Sequence, residues 1–166
     1  MNEQEIKDKA HYIAVTGIIS RKRNDRNEYL ICRRGASEKL FPGKWCVPGG
    51  KVQQQDFINT KKDTTDHWFD ILEKTLKKEI LEETSIEIEN IGYVSSLALV
   101  RPNGFTTVII SMHATLQSGE VVLDGVELDD FAWVTIDGAK KHDLIDNILE
   151  QLQKVDELEK KNKSYL

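Results

Sequence analysis

The stretch KEILEET, residues 78–84, decides what fold and what kind of site this chain can form. On a helix that turns by about 100° per residue, Glu79, Glu82 and Glu83 fall within roughly a quarter of a turn of one another. Like charges at this spacing repel, which costs about 0.2–0.5 kcal/mol for each exposed pair and more beside a low-dielectric core. Clustered carboxylate oxygens suit Mg²⁺ or Mn²⁺, and a bound cation would offset the repulsion. The competing interpretation is an acidic, solvated helix face that is neutralised by neighbouring lysines.

The helix that carries these glutamates is predicted from the spacing of apolar residues. Phe69, Leu72, Leu76 and Ile80 recur at intervals of three and four positions, as one face of an amphipathic helix requires. Asp66 and Asp70 are both candidates for its N-cap, and the pattern ends at Thr84. The three glutamates border this apolar stripe, so they are expected at the edge of the core.

A second informative segment is WCVPGGKV, residues 45–52, which reads as a short strand that ends in paired glycines. Without side chains, Gly49 and Gly50 let backbone amides and carbonyls approach a metal ion or a phosphate closely. Taken alone, the pair indicates only a turn.

Together the two segments resemble the signature of the Nudix family, G-x5-E-x7-R-E-U-x-E-E-x-G-U, in which U is aliphatic. Gly50 corresponds to the opening glycine and residues 78–86 to the closing half, and residues 41–52 are similar to the approach to this box in nucleotide-cleaning members. The resemblance implies an α/β fold, the Nudix-type α/β/α sandwich with a mixed central sheet. It also implies hydrolysis of a diphosphate linkage in a nucleoside triphosphate or a nucleoside-diphosphate derivative.

The sequence departs from the family pattern at four places. Gly50 precedes Glu79 by 29 positions instead of 15, so a loop insertion is expected, and the polar, aperiodic residues 53–65 are its predicted location. The early glutamate of the pattern has no secure match, although counting back from Glu79 gives Asp70. Lys78 replaces the arginine, and Ser85 replaces a glycine at an expected helix C-cap.

The resemblance assigns roles to individual residues. Glu79 and Glu83, helped by Glu82 and the Gly49 carbonyl, would hold Mg²⁺ or Mn²⁺, which neutralises the diphosphate and activates the attacking water. In many members the general base precedes a late strand with the pattern E-x5-W, and Glu127 matches that position ahead of Trp133. Glu79 is the second catalytic candidate, and Glu127 is equally compatible with one of several acids on a turn.

Basic residues flank the glycine pair and are candidates for substrate binding. They are Arg33, Arg34, Lys44 and Lys51, with Gly50 itself at the turn. Side chains alternate along a strand, so only one of the two adjacent arginines is expected to face the site. A solvated rim of cations is the alternative interpretation.

The remaining pattern predicts one domain over residues 1–166, with flexible ends at 1–9 and 159–166. Strands are expected at residues 11–20, 28–34, 45–47, 86–101, 105–116 and 130–135, with a loop at 21–27 and a closing amphipathic helix at 143–158. This order lacks the regular alternation of a doubly wound parallel sheet, which favours a mixed sheet between helices.

Bulk composition restricts the partners. A formal net charge of −5 disfavours a nucleic-acid polymer but not a small phosphate ligand bound through a cation. The chain shows no signal peptide and no membrane-spanning run, so a cytoplasmic protein with a small nucleotide-like substrate and no membrane partner is expected. The sequence leaves a homodimer open, and it does not specify the substrate. A Nudix-fold module that senses a nucleotide without cutting it, and an isomerase acting on an isoprenoid diphosphate, are the alternatives.

Overall fold

Seven strands form one sheet in the computed structural model, which describes residues 1–161. The strands are β1 (His11–Arg23), β2 (Arg26–Arg34), β3 (Trp45–Cys46), β4 (Gly49–Lys51), β5 (Glu87–Val100), β6 (Thr106–Ser118) and β7 (Leu128–Val134). The helices are α1 (Glu3–Lys9), α2 (Ile71–Thr84), α3 (Ile136–Ala139) and α4 (Ile148–Lys160), with a single 3₁₀ turn at Gln54–Asp56. None of the helices within residues 1–161 is both long and apolar enough to cross a membrane.

The sheet is mixed, as the sequence predicts. Its main path runs β3-β2-β1-β6-β5, while β4 pairs with β1 and β7 pairs with β2. The β1–β6 pair is parallel and aligns residues 11–20 with residues 106–115, whereas the other pairs are antiparallel. The parallel pair lies at the centre of the sheet.

Apolar side chains cover the two faces of the sheet separately. On one face Leu76 and Ile80 of α2 pack with a cluster that contains Leu30 and Cys32, and on the other face Leu152 of α4 packs with a cluster that contains Tyr29 and Ile31. Successive β2 residues therefore point to opposite helices, as the period of a strand requires. The predicted α/β/α sandwich is confirmed.

Several element bounds differ from those predicted. The predicted loop at residues 21–27 is a two-residue turn, because Asn24 and Asp25 both take positive φ and let the strands continue to Arg23 and from Arg26. Helix α2 begins only at Ile71, so Phe69 lies outside it and is exposed.

The two chain ends also differ in part from the prediction. Residues 1–9 contain α1. Asn2 and Glu5 form a reciprocal capping box at the N-terminus of this helix. Helix α4 begins at Ile148 instead of 143 and continues to Lys160. Residues 162–166, which belong to the predicted flexible end, lie outside the described residues.

Candidate active site

The glycine pair and α2 are in direct contact. Strand β4 pairs with β1 so closely that a Cβ on Gly49 would stand 2.1 Å from the Val15 carbonyl oxygen, and a Cβ on Gly50 would stand 2.1 Å from Glu79 Oε2. Only glycine leaves room for the carboxylate at the second position. The predicted contact of the two segments is therefore present, with Glu79 lying against the Gly50 backbone.

Glu83 is the buried member of the glutamate cluster. It is 6% exposed, and its Oε2 accepts a hydrogen bond of 3.0 Å from the Gly49 amide. Burial, together with the smaller effect of the charges of Glu127, Glu79 and Asp124, raises the pKa of Glu83 to about 8, and the Gly49 hydrogen bond opposes the rise. The Glu83 carboxylate thus lies near other negative charges and accepts a hydrogen bond from one backbone amide.

Glu79 is half-buried beside Glu83. Burial raises the pKa of Glu79, and the hydrogen bond and charge of Lys78 lower it. Glu82 is exposed at the same end of the helix. The three glutamates thus occupy a buried, an intermediate and an exposed position along one edge of α2.

Lys78 is the cation of this cluster. Its Nζ lies 2.9 Å from Asp56 Oδ1, 3.2 Å from Glu79 Oε1 and 3.8 Å from Glu82 Oε2. The hydrogen bonds to Asp56 and Glu79 raise the pKa of Lys78 to about 12, so it is charged at neutral pH. Lys78 therefore neutralises part of the negative charge along this edge of α2.

Asp56 lies next to the glutamate cluster, through Lys78, and the sequence analysis did not single it out. It follows Gly50 by six positions, the spacing of the early glutamate in the pattern, and its contact with Lys78 joins the two box positions in space. The surplus of 14 residues therefore lies between Asp56 and Lys78, at residues 57–70, later than the predicted 53–65. Asp70 instead occupies the N-cap of α2 in a left-handed conformation. Counting forward from Gly50, as well as back from Glu79, would have identified Asp56.

The connection that carries Glu127 is attached to the end of α2. The Val122 and Asp124 amides donate to the Thr84 and Glu83 carbonyls at 3.0 and 3.3 Å. The Glu127 carbonyl accepts a hydrogen bond of 2.9 Å from the Gly35 amide. The exposed Glu127 side chain is consequently held near enough for its charge to raise the pKa of Glu83.

Asp124 organises this connection and was not singled out by its sequence position. Its Oδ1 accepts from the Val126 and Leu128 amides at 3.2 and 3.4 Å. Such local carboxylate turns are common in loops, so no sequence signal distinguishes Asp124 from its acidic neighbours.

Ser85 ends α2 in the conformation that the family glycine would favour. Its φ is +61°, in the left-handed region, and its amide donates to the Leu81 carbonyl. The Ser85 hydroxyl donates to the Val122 carbonyl at 3.1 Å, which adds a further link to the Glu127 connection. The predicted C-cap position is confirmed.

The four predicted phosphate-binding cations all have protein partners. Arg33 pairs with Asp129 at 2.7 Å, Arg34 pairs with Glu38 and donates to the Leu40 carbonyl, Lys44 pairs with Asp143 at 2.6 Å, and Lys51 lies 5.9 Å from the Tyr12 ring centroid. Arg34 follows Cys32 by two positions, so it belongs to the sheet face that α2 covers. Burial raises the pKa of the Cys46 thiol on that face to about 12, and the charge of Arg34 opposes this rise. Of the two arginines, Arg34 is therefore the one on the side of the glutamates.

The carboxylates of this site are ligands that suit a hard divalent cation, although their side chains do not yet converge on one point. Within residues 1–161, no three His, Cys, Asp or Glu side chains already converge as metal ligands. The fit comes from Glu83, because a buried carboxyl surrounded by three further acids is stabilised in its charged form by a cation. The residues available to hold the ion are Glu79, Glu82 and Glu83, with Glu127 beside them.

Comparison with known proteins agrees with this geometry. A family model described as the NUDIX domain matches residues 11–154, which is most of the chain. Nucleoside triphosphatase NudI of Klebsiella pneumoniae is 26% identical over 129 residues, which cover 72% of this chain and 82% of that protein. NAD-capped RNA hydrolase NudC of Erwinia tasmaniensis is 33% identical over 66 residues, which cover 40% of this chain and only 24% of that protein.

Two solved structures share the fold. The NUDIX domain of Shewanella oneidensis NrtR, complexed with ADP ribose, superposes with a TM-score of 0.69 at 17% identity and covers 95% of this chain and 98% of its own. A MutT NUDIX hydrolase from Burkholderia pseudomallei superposes with a TM-score of 0.67 at 21% identity and covers 89% of this chain and 99% of its own. The chain belongs to the Nudix family and is a pyrophosphohydrolase.

Proposed function

We propose that residues 1–166 form a single Nudix domain that cleaves a diphosphate linkage with Mg²⁺ or Mn²⁺ as the essential cation. The substrate is a nucleoside triphosphate or a nucleoside-diphosphate derivative, and water attacks one phosphorus. Glu79 and Glu83, with Glu82 and the Gly49 carbonyl, would hold the metal. Glu127 is the general base.

The observation that carries this proposal is the environment of Glu83. A carboxyl that is 6% exposed, has one backbone donor and faces three other acids is costly to keep ionised unless a cation completes the site. A purely structural carboxylate would be expected to have an arginine or lysine partner. Lys78 reaches Glu79, Glu82 and Asp56, and it leaves the Glu83 position for another cation.

The residues divide the chemistry between them. The metal, when bound, neutralises the diphosphate and favours ionisation of water. The Gly50 backbone sets the position of Glu79, and the Gly49 amide sets that of Glu83. The Glu127 carboxylate accepts the proton of the attacking water as the new P–O bond forms, and the bridging P–O bond breaks to release the second phosphate group.

The substrate class is supported by the relatives and by the cations that flank the glycine pair in the sequence. The names of the two curated relatives state action on a nucleoside triphosphate and on NAD-capped RNA, and the NrtR domain binds ADP ribose. We assign phosphate contacts to Arg34, Lys44, Lys51 and the Gly50 backbone, with Arg33 as a weaker candidate because it belongs to the opposite sheet face. Each cation would exchange a protein partner for a phosphate oxygen, which charge-assisted hydrogen bonds make favourable.

A screen with added metal tests the proposal. Wild-type protein is incubated with nucleoside triphosphates, nucleotide sugars and dinucleotides in Mg²⁺, Mn²⁺ or EDTA, and phosphate, pyrophosphate and nucleoside monophosphate are measured. We expect turnover in Mg²⁺ or Mn²⁺, none in EDTA and none in Glu83→Gln. Glu73→Gln, a partly buried change earlier on α2, is the matched control and should retain activity.

The same screen separates an enzyme from a sensing module. If wild-type protein binds a nucleotide tightly but releases no product with either metal, the sensing interpretation replaces the proposed hydrolysis. Full activity of Glu83→Gln would instead remove the metal-site assignment.

A further inference from the structure

A cavity of about 300 Å³ lies between the first turns of α2 and the inserted residues 57–70. Asp56, Phe57, Lys61, Trp68, Lys74 and Lys78 supply the side chains that matter for its chemistry. Its volume is at the lower end of the range for small-molecule pockets. The cavity is therefore large enough for one small ligand and is separate from the glycine pair.

The wall of the cavity is formed by an insertion with its own internal contacts. Trp68 Nε1 donates to the Thr60 carbonyl at 3.1 Å, and the Phe57 and Trp68 rings lie 5.3 Å apart. The Asp63 carboxylate accepts from the Phe69 amide at 3.0 Å. Residues 57–70 thus form a specific structure over α2, and an indole and a phenyl ring belong to its inner surface.

The charge of the lining is opposite to that of the whole chain. Three lysines, Lys61, Lys74 and Lys78, line the cavity with a single acidic residue, Asp56, while the chain carries a formal net charge of −5. Lys74 also lies 3.6 Å from Asp63, and Lys78 is paired with Asp56. Lys78 is neutralised by Asp56 and Glu79, whereas Lys61 and Lys74 share the single carboxylate of Asp63 and form the cationic side of the cavity beside two aromatic rings. An anionic group and a planar ring are the ligand features that this combination recognises.

We propose that this cavity is a second binding site, built by the insertion, for a small aromatic compound that carries a phosphate group. The size matches a nucleoside monophosphate or one end of a dinucleotide. The phosphate would contact Lys61 and Lys74, and the ring would stack in the region of Trp68. Because Lys78 both lines the cavity and bonds to Glu79, the site is contiguous with the acidic edge of α2.

Binding of AMP in EDTA, measured by calorimetry on the full chain, tests the site without any turnover. Wild-type protein should bind AMP, and Lys61→Gln should weaken binding by about tenfold, the typical effect of losing a hydrogen bond to a charged group. Trp68→Leu should weaken it as well. Lys77→Gln makes the same charge change at an α2 position that does not line the cavity, and it should bind as wild type does. Lys61 and Lys77 are both exposed, so neither change threatens folding.

Equal AMP affinity in wild type, Lys61→Gln and Trp68→Leu, or no AMP binding at millimolar concentration, would overturn the proposal. Two further measurements identify the source of the ligand. If the cavity holds the far end of a substrate, Lys61→Gln raises KM for diadenosine tetraphosphate but not for ATP. If it holds a separate effector, AMP changes the rate of ATP hydrolysis in wild type and not in Lys61→Gln. The binding result is independent of catalysis, so it stands or fails apart from the proposed hydrolysis.

Discussion

The Glu79 side chain packs against Gly50 so closely that no other residue fits at position 50, since a Cβ there would stand 2.1 Å from Glu79 Oε2 and 2.7 Å from its Cγ. Gly50→Ala must therefore displace the Glu79 carboxylate, while the backbone can stay in place. We expect turnover to fall by about 100-fold or more, the typical effect of misplacing a catalytic group by about 1 Å. Thermal unfolding should change little, because the displaced atoms are the end of a flexible side chain.

Gly138→Ala in α3 is the control for this substitution. A Cβ there would stand 3.3 Å from Val134 Cβ, so a small adjustment suffices. Its turnover should match wild type. Full activity of Gly50→Ala would show that Glu79 is not needed in its observed position.

The ion pair between Asp56 and Lys78 predicts an effect on the metal requirement. In Asp56→Asn the Lys78 ammonium loses its 2.9 Å partner and interacts more strongly with Glu79, where it competes with the metal. The Mg²⁺ concentration that gives half-maximal activity should rise severalfold. Asp70→Asn makes the same chemical change at the N-cap of α2 and should leave the requirement unchanged. Equal effects of the two variants would contradict the assignment of Asp56 to the early position of the box.

The raised pKa of Glu83 predicts how metal-free stability depends on pH. The folded protein holds a proton on Glu83 up to about pH 8, whereas the ordinary pKa is 4.5, so folded protein binds more protons than unfolded protein in this window. The contribution of Glu83 to stability must fall as pH rises from about 4.5 to 8, and it levels off above that range. In EDTA, the melting temperature of Glu83→Gln relative to that of wild type should increase as the pH rises from about 4.5 to 8.

Saturating Mg²⁺ at pH 8 should reverse this difference, because the cation stabilises the ionised carboxylate only in wild type. Glu82→Gln, which changes an exposed carboxylate on the same helix, should give a pH profile parallel to that of wild type. Parallel profiles for Glu83→Gln and wild type in EDTA would show that burial of Glu83 does not control this dependence.

Glu127→Gln tests the general base. The amide cannot accept a proton, so turnover should fall by about 10²–10⁴-fold while substrate affinity changes little. Glu120→Gln lies in the same connection between β6 and β7, is also exposed and should have no effect. If Glu127→Gln retains full turnover, the base lies elsewhere, with Glu79, Glu82 and Asp129 as the remaining candidates.

Ser85→Gly should stabilise the protein. Glycine adopts the observed φ of +61° without the steric cost of a Cβ, which is worth about 1 kcal/mol, and only an exposed hydrogen bond to Val122 is lost. We expect the free energy of unfolding, measured in urea, to increase by about 0.5–1 kcal/mol. Ser85→Ala keeps the strain and loses the hydroxyl, so it should be slightly less stable than wild type. A loss of stability in Ser85→Gly would show that the hydroxyl contributes more than the backbone strain costs.

The sequence predicted the parts of the fold whose patterns are local. The apolar period that ends at Ile80 located α2 and its glutamates, and the Asn-Gly turn at residues 103–104 separated β5 from β6. Strand β4 was not predicted, because three residues of Gly-Gly-Lys carry no alternation and their pairing is supplied by β1. Of the two N-cap candidates, Asp66 and Asp70, the structure selects Asp70, so Phe69 of the apolar period lies before α2 and its side chain is exposed instead of packed.

The site was predictable to the extent that the family spacing was kept. Glu79, Glu83 and the glycine pair meet as expected, since both segments match the pattern. Asp56 was missed because the insertion separates it from Lys78 by 22 positions, and only the folded chain shows that the two meet. The ion pairs of Arg33 and Lys44 join residues about 100 positions apart, for which a single sequence offers no signal.

The central parallel pair of strands has a consequence for the order in which the protein folds. It aligns Thr16 of β1 with Ser111 of β6, 95 positions later, so its closure carries the entropy cost of a long loop. The hairpins β1–β2 and β5–β6 have short connections and can form early, whereas their docking is slow. Helix α2 lies in the segment that this docking closes. We therefore expect Glu79 and Glu83 to reach their final positions late in folding, when the two hairpins dock.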